Sequence, residues 1–448
     1  MSEPRNLSRR AVLGTGAALG VSLPLIGGST SAEATPTTHG SSTYAGNAGQ
    51  ATRAAVGFLQ QVTDAYRNQG ARLAQSYFDG SGLTETAFIY DNALASMALL
   101  AAGDVRRARA IGDALLFAQQ TDAAADGRLR QAYHANTFVY EGRAVSAYEF
   151  GLTGTAVGDM AWTGIALAQL AKATRAETYR NGALKIGQWI QDNTYSTTGL
   201  GGYTFGETPG LEDHKSTEHN IDVYALFRLL AKLSGDRVWT ERAEHAWAFV
   251  EASWNEADGF FWTGSDDGAT LNMAPTQLPL DPQTWSWLAA RRPAYAEALD
   301  WASTHLVSTD TPLRTNSELT GNYAVTGATF SSGSLIASTS SPIDPYHGNP
   351  DDGAVWFEGT SQLSLALRNR DQRGDKAAAD ELLYAVRSAQ GRLGEGQTFG
   401  GRTTTGGIVA ASSPLNTGFG FGYYQHLHVG ATSWFVFAAL NANPYRFL

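Results

Sequence analysis

Two acidic residues four positions apart, Glu218 and Asp222, are the strongest candidates for chemistry in this sequence. They lie in the segment KSTEHNIDVYALF, whose other residues predict an apolar helix capped by Ser216 or Thr217. Residues four apart share one face of a helix, so the two carboxyl groups should lie side by side. Neighbouring like charges raise the pKa of one member, which a general acid near neutral pH needs. The spacing therefore predicts acid–base chemistry with Glu218 as the acid.

Two further carboxylates are candidates for the matching base. Asp91 falls on the apolar stripe of the segment FIYDNALASMALLAAGD, where an ionisable group is unusual. Glu358 lies between Trp356 and Gly359, and glycine lets a ligand or another chain segment approach closely. Both rank above Asp222 as the base, because a base must act from the side of the substrate opposite the acid.

Other polar and aromatic residues at the starts of similar apolar segments suit a hydroxyl-rich ligand. Several have structural alternatives: acids such as Asp281, Asp351 and Asp352 suit helix capping, and most tryptophans suit the core. The candidates for substrate binding are Tyr90, Asn92, Asp159, Trp162, His219, Asn220, Gln283, Trp285, Asp352, Trp356, His426 and His428. No metal site or cofactor motif is predicted, since the adjacent acids Asp266 and Asp267 are too few for calcium.

Twelve helices are predicted to position these residues, and they alternate between two compositions. One set is amphipathic and charged, which indicates one solvent-facing side, and the other is apolar almost all round, which indicates burial. The amphipathic set covers residues 48–69, 104–119, 176–194, 236–253, 292–305 and 374–391. The apolar set covers residues 86–102, 159–173, 217–234, 281–290, 352–368 and 428–441.

A closed ring of six helical hairpins is the simplest arrangement that buries six apolar helices together. The sequence thus predicts an all-α fold, an (α/α)6 toroid. Links from inner to outer helices are short, whereas links from outer to inner helices are long, rich in glycine and partly strand-like. Loops of that length are usually functional, and in a ring they all lie on one face. We therefore expect a cleft with small β-hairpins at the amino-terminal ends of the inner helices.

Composition narrows the class of protein. The 448 residues are 43% hydrophobic, enough for a large core. A net charge of −10 without a basic run makes nucleic acid an unexpected partner. Cysteine is absent, which excludes disulfides, thiolate metal sites and a cysteine nucleophile.

The first segment predicts export. Arg9 and Arg10 precede an apolar run from Ala11 to Ile26, and small residues flank Glu33 at Ala32 and Ala34. This pattern is typical of a twin-arginine signal peptide over residues 1–34, cleaved after Ala34 to release a secreted protein with no membrane anchor. A polar linker over residues 35–47 and a single domain over residues 48–448 would follow.

The inner segments, among them YDNALASMALLAAGD, STEHNIDVYALFRLLAKLSGD, VWFEGTSQLSLAL and HVGATSWFVFAALNANPY, resemble bacterial members of the six-hairpin glycosidase superfamily. The resemblance spans about residues 50–448. It implies a carbohydrate substrate and glycoside hydrolysis by two carboxyl groups, with inversion of configuration as the commoner outcome. The superfamily also includes polysaccharide lyases, phosphorylases and epimerases.

Two alternatives stay open. A polysaccharide lyase would need a tyrosine or histidine base and a cation for the uronate, and Lys215 and Arg228 are the nearby cations in the sequence. A glycan-binding protein on the same scaffold would need the aromatic residues but not the carboxylates.

Overall fold

The computed structural model describes residues 44–67 and 71–448. The predicted signal peptide and most of the predicted linker lie outside these residues. Nearly all of the predicted domain, from Ala48 onward, lies within them.

Twelve α-helices form the described structure, as the sequence predicts, and outer and inner helices alternate along the chain. The outer helices are α1 (Ala48–Thr63), α3 (Val105–Thr121), α5 (Glu177–Thr194), α7 (Val238–Ala252), α9 (Glu297–His305) and α11 (Asp375–Ala389). The inner helices are α2 (Ile89–Ala101), α4 (Val157–Thr174), α6 (Thr217–Ser234), α8 (Leu280–Ala290), α10 (Phe357–Arg370) and α12 (Val429–Leu440).

The inner helices form a closed ring. Each of them packs on the next inner helix along the chain, and α12 packs on α2 to complete the circle. Burial follows composition: every residue of α12 from Val429 to Ala438 is buried, whereas α5 buries one face only. The (α/α)6 toroid predicted from the sequence is confirmed.

Three helix boundaries differ from the prediction by five residues or more. Helix α1 ends at Thr63 rather than near residue 69. Helix α9 begins at Glu297 because Pro293 opens a separate 3₁₀ turn, Pro293–Tyr295. Helix α10 begins at Phe357 rather than at residue 352, because the residue before it, Trp356, has an extended backbone.

Short antiparallel strand pairs occupy the long loops. The pairs are Thr86–Phe88 with Ala132–His134, Val139–Tyr140 with Arg143–Ala144, Thr155–Ala156 with Gly206–Glu207, Lys215–Ser216 with Gly264–Ser265, Trp254–Asn255 with Phe260–Phe261, Val307–Asp310 with Val325–Ala328, Thr398–Phe399 with Arg402–Thr403, Ile408–Val409 with Leu427–His428, and Leu415–Asn416 with Gly422–Tyr423. Two more 3₁₀ turns span Tyr148–Phe150 and Ser334–Ile336.

The same hydrogen bond recurs at the start of every inner helix. The first backbone N–H of each helix donates to a carbonyl of a neighbouring long loop, which holds the six helix starts at one level. The six bonds are Ile89 to Gln131 (3.0 Å), Val157 to Phe205 (2.8 Å), Thr217 to Thr263 (3.0 Å), Leu280 to Phe330 (2.9 Å), Phe357 to Ala410 (3.1 Å) and Val429 to Ser76 (3.0 Å). The last bond joins the end of the chain to its beginning and closes the ring.

Among the described residues, no helix combines the length and the apolar character needed to span a membrane.

Candidate active site

The six inner helices present their second residues to the centre of the ring. Four of these residues carry functional groups, namely Tyr90, Glu218, Asp281 and Glu358. The other two helices, α4 and α12, have Gly158 and Gly430 at this position. The ring thus brings together side chains up to 268 residues apart in sequence, while glycine occupies the same position on the other two of its six sides.

Six carboxyl groups form the centre, here called the central cluster: Asp91, Asp159, Glu218, Asp222, Asp281 and Glu358. Each is at most 7% exposed. Burial raises the pKa of Asp159 and of Asp281 to about 7, and Asp91 adds to the effect on Asp159. Burial also raises the pKa of Glu358 well above its usual value, to which the charges of Asp91 and Asp281 contribute. Asp91 and Glu358, two of the four carboxylates predicted as catalytic, thus share one electrostatic environment with Asp281.

Glu358 is held by a chain of hydrogen bonds that crosses the ring. The indole N–H of Trp434 donates to Tyr90 Oη at 3.0 Å, and the Tyr90 hydroxyl donates to Glu358 Oε1 at 2.7 Å. Gln362, one turn further along α10, lies 3.5 Å from the same oxygen. Glu358 Oε2 has no hydrogen-bond partner among the described residues. Hydrogen bonds therefore hold Oε1 of Glu358 in place, whereas Oε2 can accept a hydrogen bond from a ligand.

His428 links Asp91 to Glu358. Its Nδ1 accepts the backbone N–H of Ala431 at 3.3 Å and thereby caps α12, so the neutral ring carries its proton on Nε2. Nε2 then donates to Asp91 Oδ1 at 3.1 Å, while Nδ1 lies 3.7 Å from Glu358 Oε2. The ring of Tyr77 stacks on the imidazole at 4.3 Å and fixes its plane. His428, predicted to bind substrate, thus contacts two candidate catalytic groups.

Gly430 lets Asp91 and Glu358 approach the backbone of α12 closely. A Cβ atom at this position would lie 2.6 Å from Asp91 Oδ1 and 2.8 Å from Glu358 Oε2. Both distances are shorter than real Cβ contacts, so no other residue fits without displacing a carboxyl group. Helix α12, which carries Gly430, and α6 are opposite members of the six.

Aromatic rings form a floor below the central cluster. Trp285 stacks on Trp434 with centroids 5.8 Å apart, and Trp162 lies 5.2 Å from Trp285. Tyr445, from the last residues of the chain, packs 4.8 Å from Trp162 and donates its hydroxyl to Asp222 Oδ1 at 2.8 Å. Asp222 is thus the member of the central cluster that contacts this floor, one turn along α6 from Glu218.

Three predicted substrate-binding amides bond to the backbone instead. Asn92 accepts from the N–H of Ala74 at 2.8 Å, and Asn220 accepts from the N–H of Tyr203 at 2.8 Å. Gln283 does the same with Phe261 at 2.8 Å. Each amide nitrogen also donates to two carbonyls, so the prediction that these amides hold hydroxyls does not fit their contacts. They fasten a long loop to the inner helix that follows it.

The remaining predicted residues occupy varied places. His219 is fully buried against Phe205 at 4.6 Å, and burial lowers its pKa to about 3. Trp356 is buried just before α10 and packs on Phe330 at 4.8 Å, so it is not an exposed platform. Asp352 lies outside the central cluster and forms an ion pair with Arg314.

His426 faces a separate group of side chains on the loop side of His428. It packs against Phe78 at 4.7 Å and lies 5.3 Å from the ring of His347. Burial and the neighbouring His347 lower its pKa to about 3. The side chain keeps partial exposure, so of the two predicted histidines it is the more accessible to a ligand.

Sequence reasoning underestimated Asp281 and missed Gly430 and Tyr445. Asp281 suits helix capping by its position, yet α8 has no side-chain cap and the carboxyl group is 1% exposed. The signal was available, because Asp281, Glu218 and Glu358 occupy the same position at the start of their helices. Gly430 and Tyr445 gave no such signal, since only the closed ring brings them to the centre.

No protein-family model matches this chain, and no curated protein sequence does. Solved structures with a similar fold include a glycosidase variant in complex with glucose, at a TM-score of 0.57 and 11% identity over 89% of this chain and 98% of that one. Another is the GH76A alpha-1,6-mannanase from Salegentibacter sp. HEL1_6, at a TM-score of 0.50 and 12% identity over 88% and 100%.

A GH76 alpha-mannanase from Bacteroides thetaiotaomicron is similar as well, at a TM-score of 0.52 and 12% identity over 88% of this chain and 96% of that one. At these identities the similarity is one of fold. The chain therefore adopts, over most of its length, the (α/α)6 toroid found in these glycosidases.

Proposed function

We propose that this protein is an exported glycoside hydrolase that uses Glu218 and Glu358 as its acid–base pair. The observation that carries the proposal is the convergence of buried carboxyl groups from several inner helices on one ring, where Asp91 and Glu358 pack directly against Gly430. Glycosidic bond hydrolysis needs two carboxyl groups that flank the bond, and inversion needs room for a water molecule beside the base.

Glu218 is the proposed general acid. It lies on α6, across the ring from α12, and its side chain is fully buried. Burial favours the protonated form of a carboxyl group, which is the form that can protonate a leaving oxygen. Asp222 accepts a hydrogen bond from Tyr445 of the aromatic floor, so its proposed role is to influence the neighbouring Glu218 and not to react with substrate.

Glu358 is the proposed base, and its Oε2, which has no hydrogen-bond partner among the described residues, lies beside Gly430. The Tyr90 hydroxyl donates to the other oxygen and so favours the ionised form that a base requires. Asp91 is the alternative base, because His428 holds one of its oxygens and leaves Oδ2 without a partner among the described residues.

The substrate proposed first is an α-linked mannan or glucan. Similar structures include alpha-mannanases and a glycosidase bound to glucose. A secreted enzyme would meet such polymers outside the cell, as the twin-arginine signal predicted over residues 1–34 implies. Inversion of configuration is the proposed stereochemical outcome.

A screen of the purified protein against α-mannans, α-glucans and acidic polysaccharides tests the proposal. Released reducing ends and absorbance from unsaturated uronates would be measured together. We expect reducing ends from a neutral polymer and no unsaturated product. Unsaturated products would show that the protein is a lyase and not a hydrolase, and binding without any product would indicate a glycan-binding protein.

A further inference from the structure

His426 is a polar side chain on the loop side of the ring to which the proposed mechanism gives no role. Across residues 44–67 and 71–448, no hydrogen bond or ion pair joins its imidazole to another group. Burial lowers its pKa to about 3, so near pH 7 the ring is neutral and has one N–H donor and one acceptor nitrogen. The side chain is partly exposed, so a ligand can reach it and supply the missing hydrogen bonds.

Long loops bring several other rings together around His426. The four rings, here called the ring cluster, are Phe78, His347, Tyr424 and His426. The centroid of the His426 ring lies 4.7 Å from Phe78, 5.3 Å from His347 and 5.4 Å from Tyr424. Tyr424 stacks on His347 at 3.5 Å, and Asp344 accepts both from His347 Nδ1 at 2.9 Å and from the Tyr424 hydroxyl. These contacts hold flat faces and polar edges in fixed positions.

The ring cluster lies beside the proposed reaction centre. Its members come from the loops that precede α2, α10 and α12, and these helices carry Asp91, carry Glu358 and are capped by His428. The strand that ends at His428 keeps its pairing back to His426, whose carbonyl accepts the N–H of Ala410 at 2.8 Å. In an extended segment, alternate side chains point to one side and their Cα atoms lie about 6.6 Å apart. His426 therefore lies about one sugar unit from His428, on the same face.

We propose that the ring cluster is a second sugar-binding subsite, which holds the neutral sugar unit next to the one bound at the central cluster. A neutral imidazole both donates to and accepts from sugar hydroxyls, and flat aromatic faces suit the apolar face of a sugar ring. The cluster does not suit a metal ion, because among the described residues no three acidic or histidine side chains are placed to bind one. Affinity for the glycan should then rise with chain length.

This subsite rests on the proposed function for the identity of its ligand, but binding alone can test it. Isothermal titration at pH 7 would compare glucose, isomaltose and isomaltotriose, and in parallel mannose, α-1,6-mannobiose and α-1,6-mannotriose. A Glu218→Gln background would prevent cleavage during the titrations. His426→Phe keeps a flat ring against Phe78 and removes both nitrogens, whereas His426→Gln keeps a donor and an acceptor. His305→Phe, a change of an exposed histidine on the outer helix α9, is the matched control.

We expect the oligosaccharides of at least one series to bind about tenfold more tightly than their monosaccharide. His426→Phe should reduce this gain to about twofold or less without changing monosaccharide affinity, His426→Gln should retain more of it, and His305→Phe should leave it unchanged. An unchanged gain in His426→Phe, an equal loss of monosaccharide and oligosaccharide binding, or no gain with chain length in either series would overturn the inference. Dependence of oligosaccharide binding on His426 in a protein that hydrolyses no glycan would uphold it and overturn the proposed function instead.

Discussion

His428 reaches Asp91 and Glu358 with opposite edges of one imidazole ring, 3.1 Å from the first and 3.7 Å from the second. The same ring caps α12 through Nδ1. One side chain therefore has two separable tasks, the start of a helix and the orientation of a candidate catalytic carboxylate.

Two substitutions at this position separate those tasks. His428→Asn keeps an acceptor near Nδ1 and loses the donor to Asp91, so kcat should fall at least about tenfold with little loss of stability. His428→Gln keeps a donor near Nε2 and loses the cap, so it should cost about 1 kcal/mol of stability and less activity. Steady-state kinetics and chemical denaturation of both variants measure the two effects, and equal loss of both properties in both variants would contradict the assignment.

The acid limb of the pH–activity profile should have an apparent pKa above the usual pKa of a glutamate. The base must be ionised, and burial among carboxyl groups raises the pKa of Glu358. Tyr90→Phe removes the hydroxyl that stabilises the ionised form, so the acid limb should move further up, by up to about one pH unit. Profiles of kcat/KM against pH for both proteins test this, and a downward or absent shift would speak against Glu358 as the base.

Stability should fall as pH rises through neutrality. In the folded protein the pKa of Asp159 and of Asp281 is about 7, above the usual 3.8, so their stabilising contribution is complete below about pH 4 and lost as pH rises through 7. Asp281→Asn removes the part of this dependence that comes from Asp281 and should stabilise the protein by about 0.5–2 kcal/mol at pH 8, with a smaller effect at pH 5. Thermal unfolding at both pH values gives the comparison, and a larger gain at pH 5 would reverse the assignment.

Gly430→Ala should abolish activity, because its Cβ would overlap Asp91 Oδ1 and Glu358 Oε2. Gly57→Ala is the matched control, since this helical glycine in α1 has nothing within 4 Å of the added atom. The control should keep full activity and gain about 0.5–1 kcal/mol of stability. Turnover assays and unfolding curves measure the activity and stability of the two variants. An active Gly430→Ala enzyme would rule out a reaction centre beside this glycine.

Asn220→Ala should destabilise the protein without changing its specificity. The side chain bonds only backbone groups, so its loss leaves Tyr203 and Ser216 with unmet groups and should cost about 1–3 kcal/mol or more. KM of the folded fraction should stay within about twofold of the parent. A selective rise in KM with unchanged stability would restore the substrate-binding role expected from the sequence.

The fold follows closely from the sequence because composition separates inner from outer helices. Helix α12 is apolar on all sides, and α5 on one, so their places in the ring could be predicted before any contact was known. Helix ends were harder to predict from the sequence, because the start of α9 depends on one proline and no strong sequence signal marks the end of α1.

The site could be predicted only in part, for a physical reason. A carboxylate on an apolar helix is unusual in sequence, so Glu218, Asp91 and Glu358 stand out. The partners of Asn92, Asn220 and Gln283 lie 17 to 22 residues away in loops, and sequence alone cannot distinguish such a backbone bond from a ligand bond. Tyr445 reaches Asp222 across 223 residues, a contact that exists only because the ring closes.

The central claim is that Glu218 is the acid and Glu358 the base, and one comparison tests it directly. Glu218→Gln and Glu358→Gln would be assayed on the natural glycan and on a matching glycosyl fluoride, whose leaving group needs no protonation. We expect Glu218→Gln to lose about 10²–10⁴-fold of its activity on the glycan but far less on the fluoride, and Glu358→Gln to lose both activities. Equal losses by Glu218→Gln on both substrates, or a fully active Glu358→Gln enzyme, would contradict it.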